Sequence, residues 1–132
     1  MLISTKGRYA LRAVIDLAEN SDGGLTPMKD VAKRQEISLK YLERILPTLT
    51  SGGIIEGAHG RNGGYRLAKA PRDIRVLDIL RLTEGDISPV GCDGSCARSA
   101  DCRTYPMWAE YIKMTESYFG GISVADLMKT DR

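Results

Sequence analysis

A mostly helical fold with one small β-hairpin is predicted by three features of this 132-residue chain. Up to residue 51, apolar residues recur at helical spacing in three stretches separated by short turns. Between residues 54 and 68 that period gives way to two short extended runs around a glycine-rich tip. A polar segment with all three cysteines then leads to a long helical stretch beginning at Pro106.

The first helix places Leu11, Val14, Ile15 and Ala18 on one stripe, takes Ser4 or Thr5 as its N-cap, and runs out in the turn signal at residues 20–24. Thr26 as N-cap and Pro27 as the first helical residue open a short second helix that buries Met28, Val31 and Ala32. Ser38 caps a third helix, with Leu39, Leu42, Leu46 and Leu49 on one stripe, Ile45 widening it, and Gly52 and Gly53 as the stop. Pro47 removes a backbone hydrogen bond inside this helix and predicts a bend there. Residues 54–56 and 65–68 read as strands flanking a loop of His59, Gly60, Arg61, Asn62, Gly63 and Gly64.

Three helices followed by a hairpin is the order of a winged helix-turn-helix, expected over residues 1–75. Residues 76–132 form a second region. A helix around Leu77, Ile79 and Leu80 is closed by Gly85, residues 86–104 keep no period, and Ser123 caps a last turn containing Leu127. The long helix presents Trp108, Tyr111, Ile112, Thr115, Tyr118 and Phe119 as one broad apolar face, more than a domain this small covers alone, and so predicts a dimerisation helix.

Apolar residues make up 42% and charged residues 27% of the chain, the balance of a globular protein. No apolar run approaches the roughly 20 residues that span a bilayer, and the first residues lack a signal peptide's hydrophobic stretch. A cytoplasmic protein with no membrane partner is expected. In that reducing compartment three cysteines point to metal or redox chemistry ahead of disulfides. Charge is divided unevenly: residues 1–75 carry 13 Lys and Arg against 8 Asp and Glu, whereas residues 76–132 carry 6 against 9. The basic first half suits a polyanion.

In a helix-turn-helix the second helix of the motif enters the major groove. Here its outer side carries Lys40, Tyr41, Glu43, Arg44, Thr48 and Ser51, with Ser38 at its start. Cationic side chains meet phosphates and guanine edges, hydroxyls bond phosphate oxygens, and a glutamate accepts from the cytosine amino group. The hairpin adds His59, Arg61 and Arg66, with glycines that let the loop lie close to a nucleic-acid backbone, and Arg61 is the leading residue for the minor groove. The expected partner is double-stranded operator DNA, with Ser38, Lys40, Tyr41, Glu43, Arg44, His59 and Arg61 as contacts.

Cys92, Cys96 and Cys102 form C-x3-C-x5-C within eleven residues. Thiolates this close can converge on one metal or cluster, and soft sulfur favours iron-sulfur, zinc or copper(I). A structural zinc site needs four ligands, so it too would draw on a donor outside the three cysteines. Catalysis by a cysteine nucleophile would need a histidine base, and the one histidine, His59, lies on the hairpin. No enzyme is expected.

Taken together, STKGRYALRA at 4–13, ISLKYLERIL at 37–46, GRNGGYRLAK at 60–69, the three-cysteine loop and ISVADLM at 122–128 resemble a family of winged-helix bacterial repressors. That family includes IscR (the iron-sulfur cluster regulator), NsrR (the nitric-oxide-sensing repressor) and CymR (the cysteine-metabolism repressor). The likeness covers nearly the whole chain, and the opening segment and SLKYLE look most like the IscR branch. It implies a homodimer with crossed C-terminal helices, a cluster on Cys92, Cys96 and Cys102 that is 2Fe-2S ahead of 4Fe-4S, and control of iron-sulfur cluster biogenesis genes. CymR-like relatives imply an alternative, a cluster-free thiol- or zinc-responsive repressor of cysteine and sulfur metabolism. The chain departs from the pattern at the fourth ligand. The histidine three residues after the third cysteine in the IscR branch is Tyr105 here, and the acidic residue that NsrR-like members recruit from the partner's first helix is Arg8. Asp93, Asp101 and Glu110 are nearby oxygen donors.

Overall fold

The computed structural model describes residues 2–129. Helix α1 (Thr5–Asn20) starts where the Ser4 hydroxyl accepts the Gly7 N–H at 3.1 Å. Its buried side is centred on Ala10, Ala13, Val14 and Leu17, with Leu11, Ile15 and Ala18 half-buried on the flanks. Small side chains at the centre let other elements approach closely, and α1 touches α2, α3, α4, α6 and β2.

Helix α2 (Met28–Gln35) begins one residue later than the sequence predicts, with Pro27 at the N-cap position and no side-chain cap. Thr26 is unavailable as a cap because its backbone is paired. Its N–H donates to the Tyr65 carbonyl and its carbonyl accepts the Tyr65 N–H, both at 2.8 Å. Helix α3 (Leu39–Ser51) is capped by Ser38, whose hydroxyl accepts the Tyr41 N–H at 3.3 Å. It buries Leu42, Ile45, Leu46 and Leu49, whereas Leu39, expected on that stripe, is 38% exposed in the first turn. The helix runs through Pro47 without interruption. Pro47 lies on the exposed side, where water can bond the Glu43 carbonyl that it leaves without an intrahelical partner.

Strands β1 (Ile55–Ala58) and β2 (Gly64–Leu67) pair antiparallel with Ile55 opposite Leu67 and Ala58 opposite Gly64. The wing loop is therefore residues 59–63. A 3-10 turn at Pro71–Asp73 leads to α4 (Val76–Glu84), which Gly85 ends at a φ of +74°. Residues 86–104 hold no helix or strand, as expected, and α5 (Tyr105–Gly120) and α6 (Val124–Leu127) complete the chain. Ser123 and Asp126 cap α6 reciprocally, at 3.1 and 2.8 Å.

The end of the chain is stitched back onto the helix-turn-helix. The Val76 N–H donates to the Ile122 carbonyl and the Val124 N–H to the Ile74 carbonyl, at 2.9 and 2.8 Å. Val124 and Ile74 both belong to the main core. A smaller cluster of Val76, Leu80 and Ile87 packs with Ile3, Leu11 and Phe119.

No residue of α5 is buried, and its apolar surface is divided where one broad face was predicted. Trp108, Ile112, Thr115 and Phe119 are half-buried and recur at helical spacing, on the helix that packs against α4. Tyr111 and Tyr118 belong instead to a second stripe with Met107 and Met114, these four being 50 to 66% exposed. No helix is long and apolar enough to cross a membrane.

Candidate functional site

Helix α3 has two unlike sides. Opposite its buried leucines, Lys40, Glu43, Arg44, Pro47 and Ser51 fall at helical spacing and are all exposed. Ser38 is exposed, with its hydroxyl engaged as cap acceptor. Tyr41 is half-buried. Its ring meets Tyr9 of α1 edge-on, with centroids 5.5 Å apart.

The wing carries His59 and Arg61 at its exposed tip. Arg66, expected to supply charge toward a nucleic-acid backbone, donates to Glu56 across the hairpin at 2.7 Å. Glu43 and His59 line one open cleft of about 480 Å³ between α3 and the hairpin, together with Leu46, Pro47 and Tyr65. The tertiary fold thus brings predicted helix and wing residues onto one continuous surface. The hairpin is held there by the Thr26–Tyr65 pairing. Gly64 makes this possible, since a Cβ on it would lie 2.5 Å from the Thr26 carbonyl carbon.

A polar cluster joining α1 to α2 carries no signature in the helical pattern alone. Asp16 of α1 is 1% exposed and accepts from the Arg34 Nη2 at 2.7 Å, the Arg34 Nε at 3.1 Å and the Gln35 Nε2 at 2.9 Å. Hydrogen bonding to Asp16 raises the Arg34 guanidinium above its ordinary pKa. Residue type supplies the signal. A carboxylate beside Leu17, three residues after Ala13, sits on the buried face of α1, and a buried acid requires a partner.

The cysteine segment is anchored at one end by buried Ile87 and continues at the other into α5. Cys92 and Cys102 are half-buried, Cys96 is exposed, and all three are free thiols. Cys96 Sγ receives the Arg98 N–H at 3.5 Å, and Cys102 Sγ lies 3.3 Å from the Thr104 hydroxyl. The Thr104 side chain, followed by the N–H groups of Thr104 and Tyr105, pulls the Cys102 thiol below its ordinary pKa. Donors aimed at sulfur favour the thiolate, the form that ligates metal. Asp93 is occupied locally, accepting from the Ser95 N–H at 2.9 Å and hydroxyl at 2.5 Å, which holds its carboxyl below the usual range. Tyr105 turns its hydroxyl toward Gly94, where an added Cβ would lie 2.9 Å from it.

The chemistry of this donor set fits an iron-sulfur cluster or another thiophilic metal. Its present spacing is looser than a bound cluster needs, because no three His, Cys, Asp or Glu side chains among the described residues gather around one point. Local turns, such as the Cys102 N–H on the Arg98 carbonyl at 2.7 Å, order parts of the loop without drawing the sulfurs together.

A helix-turn-helix whose reading helix lies beside a β-wing defines a winged-helix DNA-binding protein. The chain belongs to the Rrf2 family of transcriptional regulators. Its profile, described as an iron-dependent transcriptional regulator, matches residues 3–130. Protein rrf2 of Nitratidesulfovibrio vulgaris is 36% identical over 132 residues, covering 98% of this chain and 88% of that one. The HTH-type transcriptional regulator IscR of Aliivibrio salmonicida is 33% identical over 130 residues, covering 97% and 77%. Among solved structures, CymR, the global cysteine regulator of B. subtilis, superposes with a TM-score of 0.84 at 32% identity over 99% of both chains. IscR of T. potens gives 0.77 at 34% identity, over 96% of this chain and 85% of that one. This is a family of regulators, and the expectation that the chain is no enzyme holds.

Proposed function

We propose that this regulator binds operator DNA as a homodimer and adjusts that binding to an iron-sulfur cluster held by Cys92, Cys96 and Cys102. The observation that carries the cofactor is the presence of three free thiols, one of them drawn toward thiolate, within eleven residues of a single segment between α4 and α5. When bound, a cluster supplies redox and ligand-exchange chemistry. The chain's own contribution is to hold it and to change shape around it. Asp93 is committed to Ser95, so a fourth donor comes from elsewhere in the chain, the partner or solvent.

In this reading residues 1–75 read DNA, through Ser38, Lys40, Tyr41, Glu43 and Arg44 on α3 and His59 and Arg61 on the wing. Residues 76–132 carry the sensor and the dimer helix. The genes controlled include those for cluster biogenesis, as in the IscR branch. Closing the loop on a cluster orders residues 92–102 and biases the spacing of the two reading heads. Couplings of this kind amount to about 5- to 150-fold in DNA affinity.

The test begins with anaerobic purification and analysis for iron, sulfide and zinc, followed by binding to operator fragments selected from random duplex DNA by the wild-type protein. Alanine at any one of the three cysteines is expected to abolish stable cluster binding and to change operator affinity within that range while leaving the fold intact. Colourless protein carrying zinc, or cluster loss without effect on any operator, would overturn the sensor reading.

A further inference from the structure

We propose that Arg12 of α1 is a DNA-phosphate-binding residue, held ready beside α3 by Gln35 and Tyr9. The inference rests on the α3 face being the DNA-reading surface. It adds a contact that the pattern of α3 and the wing does not contain.

The buried Asp16 carboxylate fixes the side chain of Gln35 through the 2.9 Å bond from Gln35 Nε2. Gln35 in turn receives the Arg12 guanidinium, its side-chain oxygen accepting from Arg12 Nε at 3.3 Å and its carbonyl from Nη2. The guanidinium carbon lies 5.2 Å from the centroid of the Tyr9 ring, and that ring meets Tyr41 in the first turn of α3. A chain of contacts therefore runs from a buried carboxylate through the exposed Arg12 to the start of the reading helix.

Four features match this cation to a phosphate. Its two hydrogen-bond partners are neutral amide oxygens, and among the described residues Arg12 forms no ion pair, so its charge is unspent. A guanidinium has five N–H donors, and two bonds to Gln35 leave others for an oxyanion. Arg8, one turn earlier on α1, is also exposed, and its guanidinium bonds only the Thr5 hydroxyl at 3.1 Å among the described contacts. An arginine already oriented by an amide and a ring loses less rotamer freedom on binding than a free one.

The experiment measures affinity for one operator fragment across a salt series for the full-length wild type, Arg12→Ala, Arg12→Lys and, as a control within the reading surface, Lys40→Ala and Arg61→Ala. Arg12→Ala is expected to weaken binding about equally on strong and weak operators and to lower the slope of log affinity against log salt by about 0.9, one phosphate contact. Arg12→Lys, which keeps the charge, is expected to keep the slope. An Arg12→Ala protein with wild-type slope, whether or not its affinity falls, overturns the proposal, because a purely structural role would leave the counterion term unchanged. If only the control variants alter binding, Arg12 alone is wrong. If none does, the placement of the DNA surface falls and this inference with it. Should Arg12→Ala fail to fold, Arg12→Gln removes the charge while still able to bond Gln35, and makes the same comparison.

Discussion

Asp16 shows how one side chain organises its surroundings. A carboxylate 1% exposed would be costly without partners, and here it has a two-pronged guanidinium and an amide, which tie α2 to α1. Arg34 is 38% exposed at its own end, so water softens the interaction below that of a fully buried pair. Arg34→Ala is expected to cost about 2 kcal/mol in urea denaturation, chiefly by leaving a buried charge short of partners. Adding Asp16→Asn to that variant should recover part of the loss by removing the charge. A double variant no more stable than the single one would show that packing, not charge, sets the cost.

At the scale of elements, an antiparallel bridge ties the hairpin to the segment that opens α2. Thr26, just ahead of α2, pairs with Tyr65 of β2, and the backbones come so close that Gly64 has no room for a side chain. Gly64→Ala must push the hairpin away from α2, at a cost of about 1 to 3 kcal/mol by analogy with overpacked sites. The expected outcome is a modest fall in melting temperature with a larger fall in DNA affinity, since His59 and Arg61 move with the hairpin. Wild-type affinity in this variant would mean that the wing contributes no contact. Much at this scale was legible from local pattern. The caps at Ser4, Ser38 and Ser123, the glycine stop at Gly85 and the glycine-rich tip are local features, each decided by a few neighbouring residues. The Thr26 cap was misread because its competitor, Tyr65, is 39 residues away along the chain.

For the whole molecule, α5 is the element whose surface is left over. The helix packs on α4, with Phe119 joining the cluster of Val76 and Leu80, while Met107, Tyr111, Met114 and Tyr118 stay 50 to 66% exposed along about three turns of helix. An apolar stripe of this length on a long helix is expected to be covered by the same stripe of a second copy, the self-complementary interface of a two-fold dimer. Tyr111→Glu with Met114→Glu should yield a folded monomer by sedimentation and weaken binding to two-half-site operators far more than to single half-sites. A stable dimer in that variant would place the interface elsewhere.

Fold class, element order, the exposed α3 residues, the wing tip and the close spacing of the three cysteines along the chain follow from the amino-acid sequence by itself. Periodicity, caps, glycine-rich turns and close spacing of like ligands act over a few residues and can be read without knowing what lies across the core. Tertiary structure alone decided which apolar residues of α5 are spent on α4 and which remain for a partner. It also decided that Asp16 has a guanidinium opposite it, that Arg66 pairs with Glu56, and that Arg12 stands close to the start of α3 with no ion pair among the described residues. Each of these depends on which distant segment arrives at a given face, and a side chain's freedom to act is set by that neighbour more than by its own identity.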